Sequence, residues 1–162
     1  MFSIFKHQSP GRALIVSRDP VFRQDLAVAL STYGFAHDTA ETRREGLEKF
    51  ITYKHAVVIS DADLLPRCPH HMEWLFREMH RNPLTLIAVT ADKIEQAYPY
   101  LKKSAYDLLH LPLDMDDFSF TLERALEYNT LRANNLFLRD AFLLFGLAIP
   151  LLAILGWLLV KG

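Results

Sequence analysis

Apolar residues along this chain fall into two kinds of pattern that take turns. One is the short unbroken run: Ala13-Leu14-Ile15-Val16, Ala56-Val57-Val58-Ile59 and, with a single threonine inside it, Leu84 to Val89. Runs of this length, rich in β-branched residues, fit strands buried on both faces of a sheet. Between them, apolar positions recur three and four apart, the spacing of one helix face. Val21, Phe22, Leu26, Ala29 and Leu30 predict a first helix, which Asp19 caps, Pro20 opens and Tyr33-Gly34 closes. A short strand follows over Phe35–Asp38. Thr42–Tyr53 predicts a second helix with Leu47, Phe50 and Ile51 on its apolar side. After the strand ending at Asp61, a loop carries Asp63, Pro66 and Pro69. A third helix over His71–His80 then shows Met72, Leu75, Phe76 and Met79 on one face. Beyond Leu84–Val89, a weak helix over Ile94–Lys103 is interrupted by Pro99. Leu108–Leu111 is a fifth short strand before Pro112, and a last helix starts near Asp114 or Asp116 and runs through Phe118, Leu122, Leu126 and Leu131.

Strands alternating with helices at this spacing predict an α/β fold, a doubly wound five-stranded parallel sheet. Sites of such sheets lie just beyond the carboxyl ends of the strands. The run ending in Ser60-Asp61 therefore puts a carboxylate where a site belongs.

The far end of the chain has neither pattern. Ala141 to Val160 holds no charged and no strongly polar side chain. As a helix it would reach about 30 Å, enough to cross the hydrocarbon of a bilayer. Pro150 would kink it, which spanning helices tolerate, and Trp157 sits near one end, where aromatic residues favour the interface. Arg124, Arg132 and Arg139 precede the run and Lys161 alone follows it, so the positive-inside rule puts the soluble part in the cytoplasm. The expected organisation is an extension over 1–10, a domain over 11–128, a helical linker over 129–140, a transmembrane helix over 141–160 and a tail over 161–162. The protein is expected to be single-pass and tail-anchored, with the lipid bilayer as one partner.

Composition adds three limits. The chain of 162 residues suits one domain plus an appendage. A net charge of −1 gives no bulk attraction to nucleic acid. The single cysteine, Cys68, makes no internal disulfide, in keeping with a reducing compartment, and the first residues lack the apolar core of a secretory signal.

In order and spacing, Ala13-Leu14-Ile15-Val16 leading to Asp19-Pro20, Val57 to Asp61, Ile87-Ala88-Val89-Thr90-Ala91 and Ala105 to Pro112 make the chain resemble a known family. It is the receiver (CheY-like) domain of bacterial response regulators in two-component systems, with a flavodoxin-like fold, over about Gly11 to Glu127. The resemblance implies aspartyl phosphorylation: an acidic pair after the first strand holding Mg²⁺, a phosphoacceptor aspartate, a hydroxyl residue, and a Lys before a proline. It assigns the phosphoacceptor to Asp61 and the hydroxyl to Thr90. Ser17 and Arg18 stand in place of the acidic pair, Leu111 replaces the Lys, and Leu108 replaces an aromatic residue. Mg²⁺ needs hard oxygen ligands in near-octahedral geometry, which Ser17 and Arg18 do not supply. Without it, the charge of a transferring phosphoryl group goes largely unneutralised. Arg18 is expected to pair with Asp61 instead and hold the switch in one state.

Each of these residues also has a plainer reading. Asp61 as a strand-end group capping nearby amides, Thr90 as a turn residue, Asp19 as a helix cap and Asp63 as a solvated loop residue would all be ordinary. Cys68-Pro69-His70-His71 crowds three metal-binding types into one loop but lacks the fourth ligand of a closed zinc site. Met72, Trp74, Leu75, Phe76 and Met79 exceed one core stripe and form either sheet packing or a docking face. By the resemblance, Tyr98, Tyr100, Leu101 and Leu126 belong to a surface that mediates dimerisation, so a homodimer is possible. The leucines of the last helix keep no heptad register, and the apolar run lacks GxxxG.

No nucleophile–base pair and no glycine-rich phosphate loop is present, so no enzyme, cofactor or metal is expected. The expected protein is a pseudo-receiver at the bacterial inner (cytoplasmic) membrane. It would act by protein–protein interaction, as a regulatory adaptor or an accessory subunit of a membrane complex, with membrane protein subunits or a signalling protein as partner. The alternative is a phosphorylatable receiver using Asp61.

Overall fold

The computed structural model describes residues 11–79 and 83–128. The chain forms two compact units, Met1–Glu123 and Arg124–Gly162. Among the described residues five strands and five α-helices alternate: β1 (Arg12–Val16), α1 (Pro20–Thr32), β2 (Ala36–Ala40), α2 (Arg43–Thr52), β3 (Val57–Asp61), α3 (Pro69–Glu78), β4 (Leu84–Val89), α4 (Ile94–Leu101), β5 (Asp107–His110) and α5 (115–128). All pairings are parallel, in the order β2-β1-β3-β4-β5. The strand order reverses between β1 and β3, which opens a crevice at their carboxyl ends. Every residue of β4 is buried, Thr85 included, in keeping with its nearly continuous apolar run.

Local chemistry sets the element ends. The Asp19 carboxylate accepts from the amides of Val21 (2.9 Å) and Phe22 (3.3 Å), satisfying two orphan donors of α1, and Pro20 follows as the first helical residue. Gly34 ends that helix at φ 80°, a left-handed conformation that costs glycine nothing. On the free side of β2, the Lys49 ammonium donates to the Thr39 carbonyl at 2.5 Å, which blunts a sheet edge otherwise open to pairing.

Several boundaries and faces depart from the sequence pattern. The second strand is Ala36–Ala40, shifted toward the C-terminus, because its register against β1 runs from Ala36 to Ala40. α3 starts at Pro69, whose missing amide costs nothing in a first turn. α4 runs through Pro99 to Leu101 without interruption. Val21 is exposed rather than part of the apolar face of α1. In α2 the buried positions are Gly46 and Phe50, while Leu47 and Ile51 are 42% and 50% exposed. A Cβ on Gly46 would lie 2.9 Å from Val16 Cγ2, so the glycine permits a close helix–strand approach and selects this face. The third-helix stripe is as expected: Met72 and Phe76 are buried, Leu75 and Met79 pack partly against the core, and Trp74 points to solvent.

Among the described residues no helix is long and apolar enough to cross a membrane. The Ala141–Val160 run with Pro150 and Trp157, the 129–140 linker and the 1–10 extension lie outside the described residues.

Candidate functional site at the carboxyl edge of the sheet

The strand ends bring together most of the residues that sequence spacing singled out. Ser17, Asp19, Asp61, Thr90 and Leu111 line one cleft of about 390 Å³. β1 delivers Ser17 and Asp19, β3 delivers Asp61, β4 delivers Thr90, and Leu111 follows β5. Apolar side chains from α1 and from the segment after β5, including Phe22 and Leu113, form part of the wall.

Asp61 is partly buried, and its Oδ2 accepts from the main-chain amide of Arg18 at 3.2 Å. Burial raises its carboxyl above the usual carboxylate range, and the charges of Asp63 and Asp19 push the same way. The Ser17 hydroxyl and the Arg18 amide oppose the shift. The expected Arg18–Asp61 ion pair is not formed: the contact is to the peptide amide, and the Arg18 side chain is exposed. The physical reason is direction. At the end of β1 the amide of residue 18 turns toward β3, whereas a side chain at that position leaves the sheet edge for solvent.

Ser17 is fully buried, and its hydroxyl accepts from the amide of Asp19 at 3.1 Å. Asp19 is a helix cap, as the plainer reading had it. Asp63 is not merely solvated: its Oδ2 lies 2.6 Å from Nζ of Lys93. Lys93 comes from the 3-10 turn Ala91–Lys93 after β4, and Asp63 from the 3-10 turn Ala62–Leu64 after β3. Hydrogen bonding to Asp63 raises the Lys93 ammonium above its ordinary range; desolvation opposes the shift, and the charges of Asp63, Asp92 and Asp61 add to it. Sequence reasoning missed Lys93, which falls between the buried strand and the weak helix expected over Ile94–Lys103 and belongs to neither pattern. The signal available was its place three residues after Thr90, at the end of a buried strand.

The donors here do not fit an octahedral Mg²⁺. The Ser17 hydroxyl is engaged, Arg18 offers an amide, Asp19 holds the start of α1, and Asp63 is bound by Lys93. Among the described residues no group of three or more His, Cys, Asp or Glu is placed to hold a metal. In the Cys68–His71 segment, Cys68 takes the N-cap position of α3 and His70 lies 3.4 Å from Glu73.

A second cavity, about 570 Å³, lies beside α1 and β2 and is lined by Arg23, His37 and Lys49. Its cations are already held: Arg23 by the Ser17 carbonyl and Glu41, Lys49 by the Thr39 carbonyl and Glu45.

The proposed docking residues separate. Tyr98 is exposed and Leu101 partly buried. Tyr100 is buried, and its hydroxyl donates to the Pro66 carbonyl, so it belongs to the core rather than to a surface. Leu126 lies in the second unit and is partly buried.

No protein-family model and no curated protein matches the chain. Solved structures do. Full-length FixJ from B. japonicum aligns with a TM-score of 0.63 at 18% identity, over 74% of this chain and 59% of that one. A response regulator receiver domain protein from Clostridium thermocellum aligns at 0.63 and 19%, over 75% of this chain and 98% of that one. Chemotaxis response regulator CheY4 of Vibrio cholerae aligns at 0.59 and 21%, over 72% and 98%. At these identities the likeness establishes the fold, a receiver-type flavodoxin-like α/β sheet. The chain spans 59% of the length of FixJ and almost all of the other two.

Proposed function

We propose that this chain is a pseudo-receiver: a receiver-type domain that acts by binding other proteins, without Mg²⁺-dependent phosphotransfer. The observation that carries the reading is the state of the strand-end carboxylates. Asp61 sits in the phosphoacceptor position, but the positions around it hold Ser17, Arg18 and Leu111, and its charge is answered by an amide and a hydroxyl. Phosphoryl transfer relies on a metal and fixed cations to neutralise developing charge. The residues here supply that poorly, so the fold serves as an interaction surface. With the Ala141–Val160 run read as a membrane span, the domain is a cytoplasmic regulatory adaptor or accessory subunit of a bacterial inner-membrane complex.

The phosphorylatable alternative draws on one feature: Asp61 and Thr90 line the same cleft, as an acceptor and its hydroxyl partner would. The two readings separate in one experiment. The full-length protein is recovered in mild detergent, and mass spectrometry identifies its partners and any phosphate on Asp61. Stoichiometric recovery with membrane subunits and an unmodified Asp61 supports the adaptor. Recovery with a histidine kinase, or a phosphorylated Asp61, overturns it.

A further inference from the structure

The cleft has lost the two cations that the resemblance implies, a metal and a lysine at 111, yet it keeps the carboxylates Asp61 and Asp63, and the charge of Asp63 is close enough to push Asp61 up. Two carboxylates in a partly buried cleft need a counter-charge. The described residues provide one from an unexpected place. Lys93 reaches from the turn after β4 to the turn after β3, with Nζ 2.6 Å from Asp63 Oδ2, and it also feels the charge of Asp61. It lines the cleft together with Ser17, Asp61 and Thr90.

We propose that Lys93 is the resident counter-ion of this cleft, an internal cation that does the charge neutralisation of a divalent ion and keeps the cleft closed to one. As a stabilising ion pair the contact counts for little, because both side chains are partly exposed. Its position gives it the role. The ammonium ties together the two loops that flank Asp61 and takes up the carboxylate that a hydrated metal would otherwise use. Mg²⁺ bound through only one or two carboxylates keeps most of its waters and binds by charge. An ammonium fixed on Asp63, and within reach of the charge of Asp61, offsets that charge. The cleft is thereby held in one arrangement without any ligand. This deepens the pseudo-receiver reading and rests on it for the meaning of a permanently neutralised site.

The test is thermal unfolding of the full-length protein in detergent, with about 10 mM MgCl₂ against NaCl of equal ionic strength, which removes general screening. The wild type is expected to show no Mg²⁺-specific shift. Lys93→Ala leaves Asp61 and Asp63 uncompensated and is expected to gain a shift of about 2 °C or more, as a ligand binding the folded state must produce. Lys93→Arg keeps the charge and stays insensitive. Asp63→Asn breaks the same bridge but removes a carboxylate instead of the ammonium, and it too stays insensitive. A response in the wild type, no gain in Lys93→Ala, or an equal gain in Asp63→Asn overturns the proposal, the last by showing that only loop loosening matters. Phosphate found on Asp61 of the recovered protein would sink the functional reading while leaving the Lys93→Ala response intact, so the two failures are distinct.

Discussion

Gly46→Ala puts a methyl group where α2 touches β1, and the outcome turns on two opposed effects. Alanine is favoured over glycine in a helix interior by about 0.5–1 kcal/mol, so on propensity alone the change stabilises. Against this, the new Cβ would lie 2.9 Å from Val16 Cγ2 and 3.1 Å from Cγ1. Rotating Val16 does not clear the clash. Two of its three Cβ substituents are methyls, and any staggered rotation returns at least one to the same space. The helix must move out by a few tenths of an ångström from a buried contact, and overpacking of this kind costs about 1–3 kcal/mol. The net expectation is a loss of about 1 kcal/mol, seen as a melting point lower by about 2–4 °C for a chain of this size. Val16 immediately precedes Ser17 and Arg18, so the strain is delivered to the end of β1 that supports Asp61. Chemical denaturation of the variant, of Val16→Ala and of the pair measures the coupling. The double variant is expected to be less destabilised than the sum of the single changes by about 1 kcal/mol. A Gly46→Ala protein as stable as the wild type, or simple additivity with Val16→Ala, would refute the close-approach argument.

Four further substitutions have outcomes set by the contacts or exposure of the residue changed. Asp38 accepts from Arg12 Nε (2.5 Å), Arg12 Nη2 (3.1 Å) and the buried His55 Nε2 (2.9 Å). Burial would raise its carboxyl, but the hydrogen bonds from Arg12 and His55 prevail and hold it below the usual range. A depressed native value means stability that is present above the ordinary aspartate value of about 3.9 and is lost as pH falls through the native one. Asp38→Asn should therefore flatten the acid limb of a stability–pH profile and cost about 1–3 kcal/mol at neutral pH, and an unchanged limb counts against the network. Asp61 has the opposite sign. Its native value is raised, so the stability linked to its protonated form is lost as pH rises through that value. Asp61→Asn should melt at or above the wild type at pH 7, and a clear drop would make Asp61 a structural cap. Tyr100→Phe removes the hydrogen bond to Pro66 and should cost about 0.5–1.5 kcal/mol. Tyr98→Ala, at an exposed position, should change stability by less than about 0.5 kcal/mol, and reversed sizes would restore Tyr100 to the surface.

The sequence alone determined the elements and their class. Short apolar runs at Ala13–Val16, Val57–Ile59 and, with one threonine, Leu84–Val89 fit strands covered on both faces, and Asp19-Pro20 fits a helix start, so strand, helix and parallel sheet were all legible. It also placed Ser17, Asp19, Asp61, Thr90 and Leu111 at strand ends, because periodicity fixes where each strand stops and parallel topology brings those stops to one edge. Other features depended on directions that no one-dimensional pattern contains. Leu47 and Ile51 keep helical spacing with Phe50, yet Gly46 turned α2 so that they face solvent. Tyr100, which the resemblance puts on a surface, lies beneath the Pro66 loop because α4 continues through Pro99. Arg18 meets Asp61 through its amide, because the strand end aims the backbone inward and the side chain outward. Lys93 and Asp63 are far apart in sequence and became partners only when β3 and β4 paired side by side and brought their following turns together. Spacing along a chain encodes which face a residue shares, whereas which groups meet is decided by the packing of elements distant in sequence.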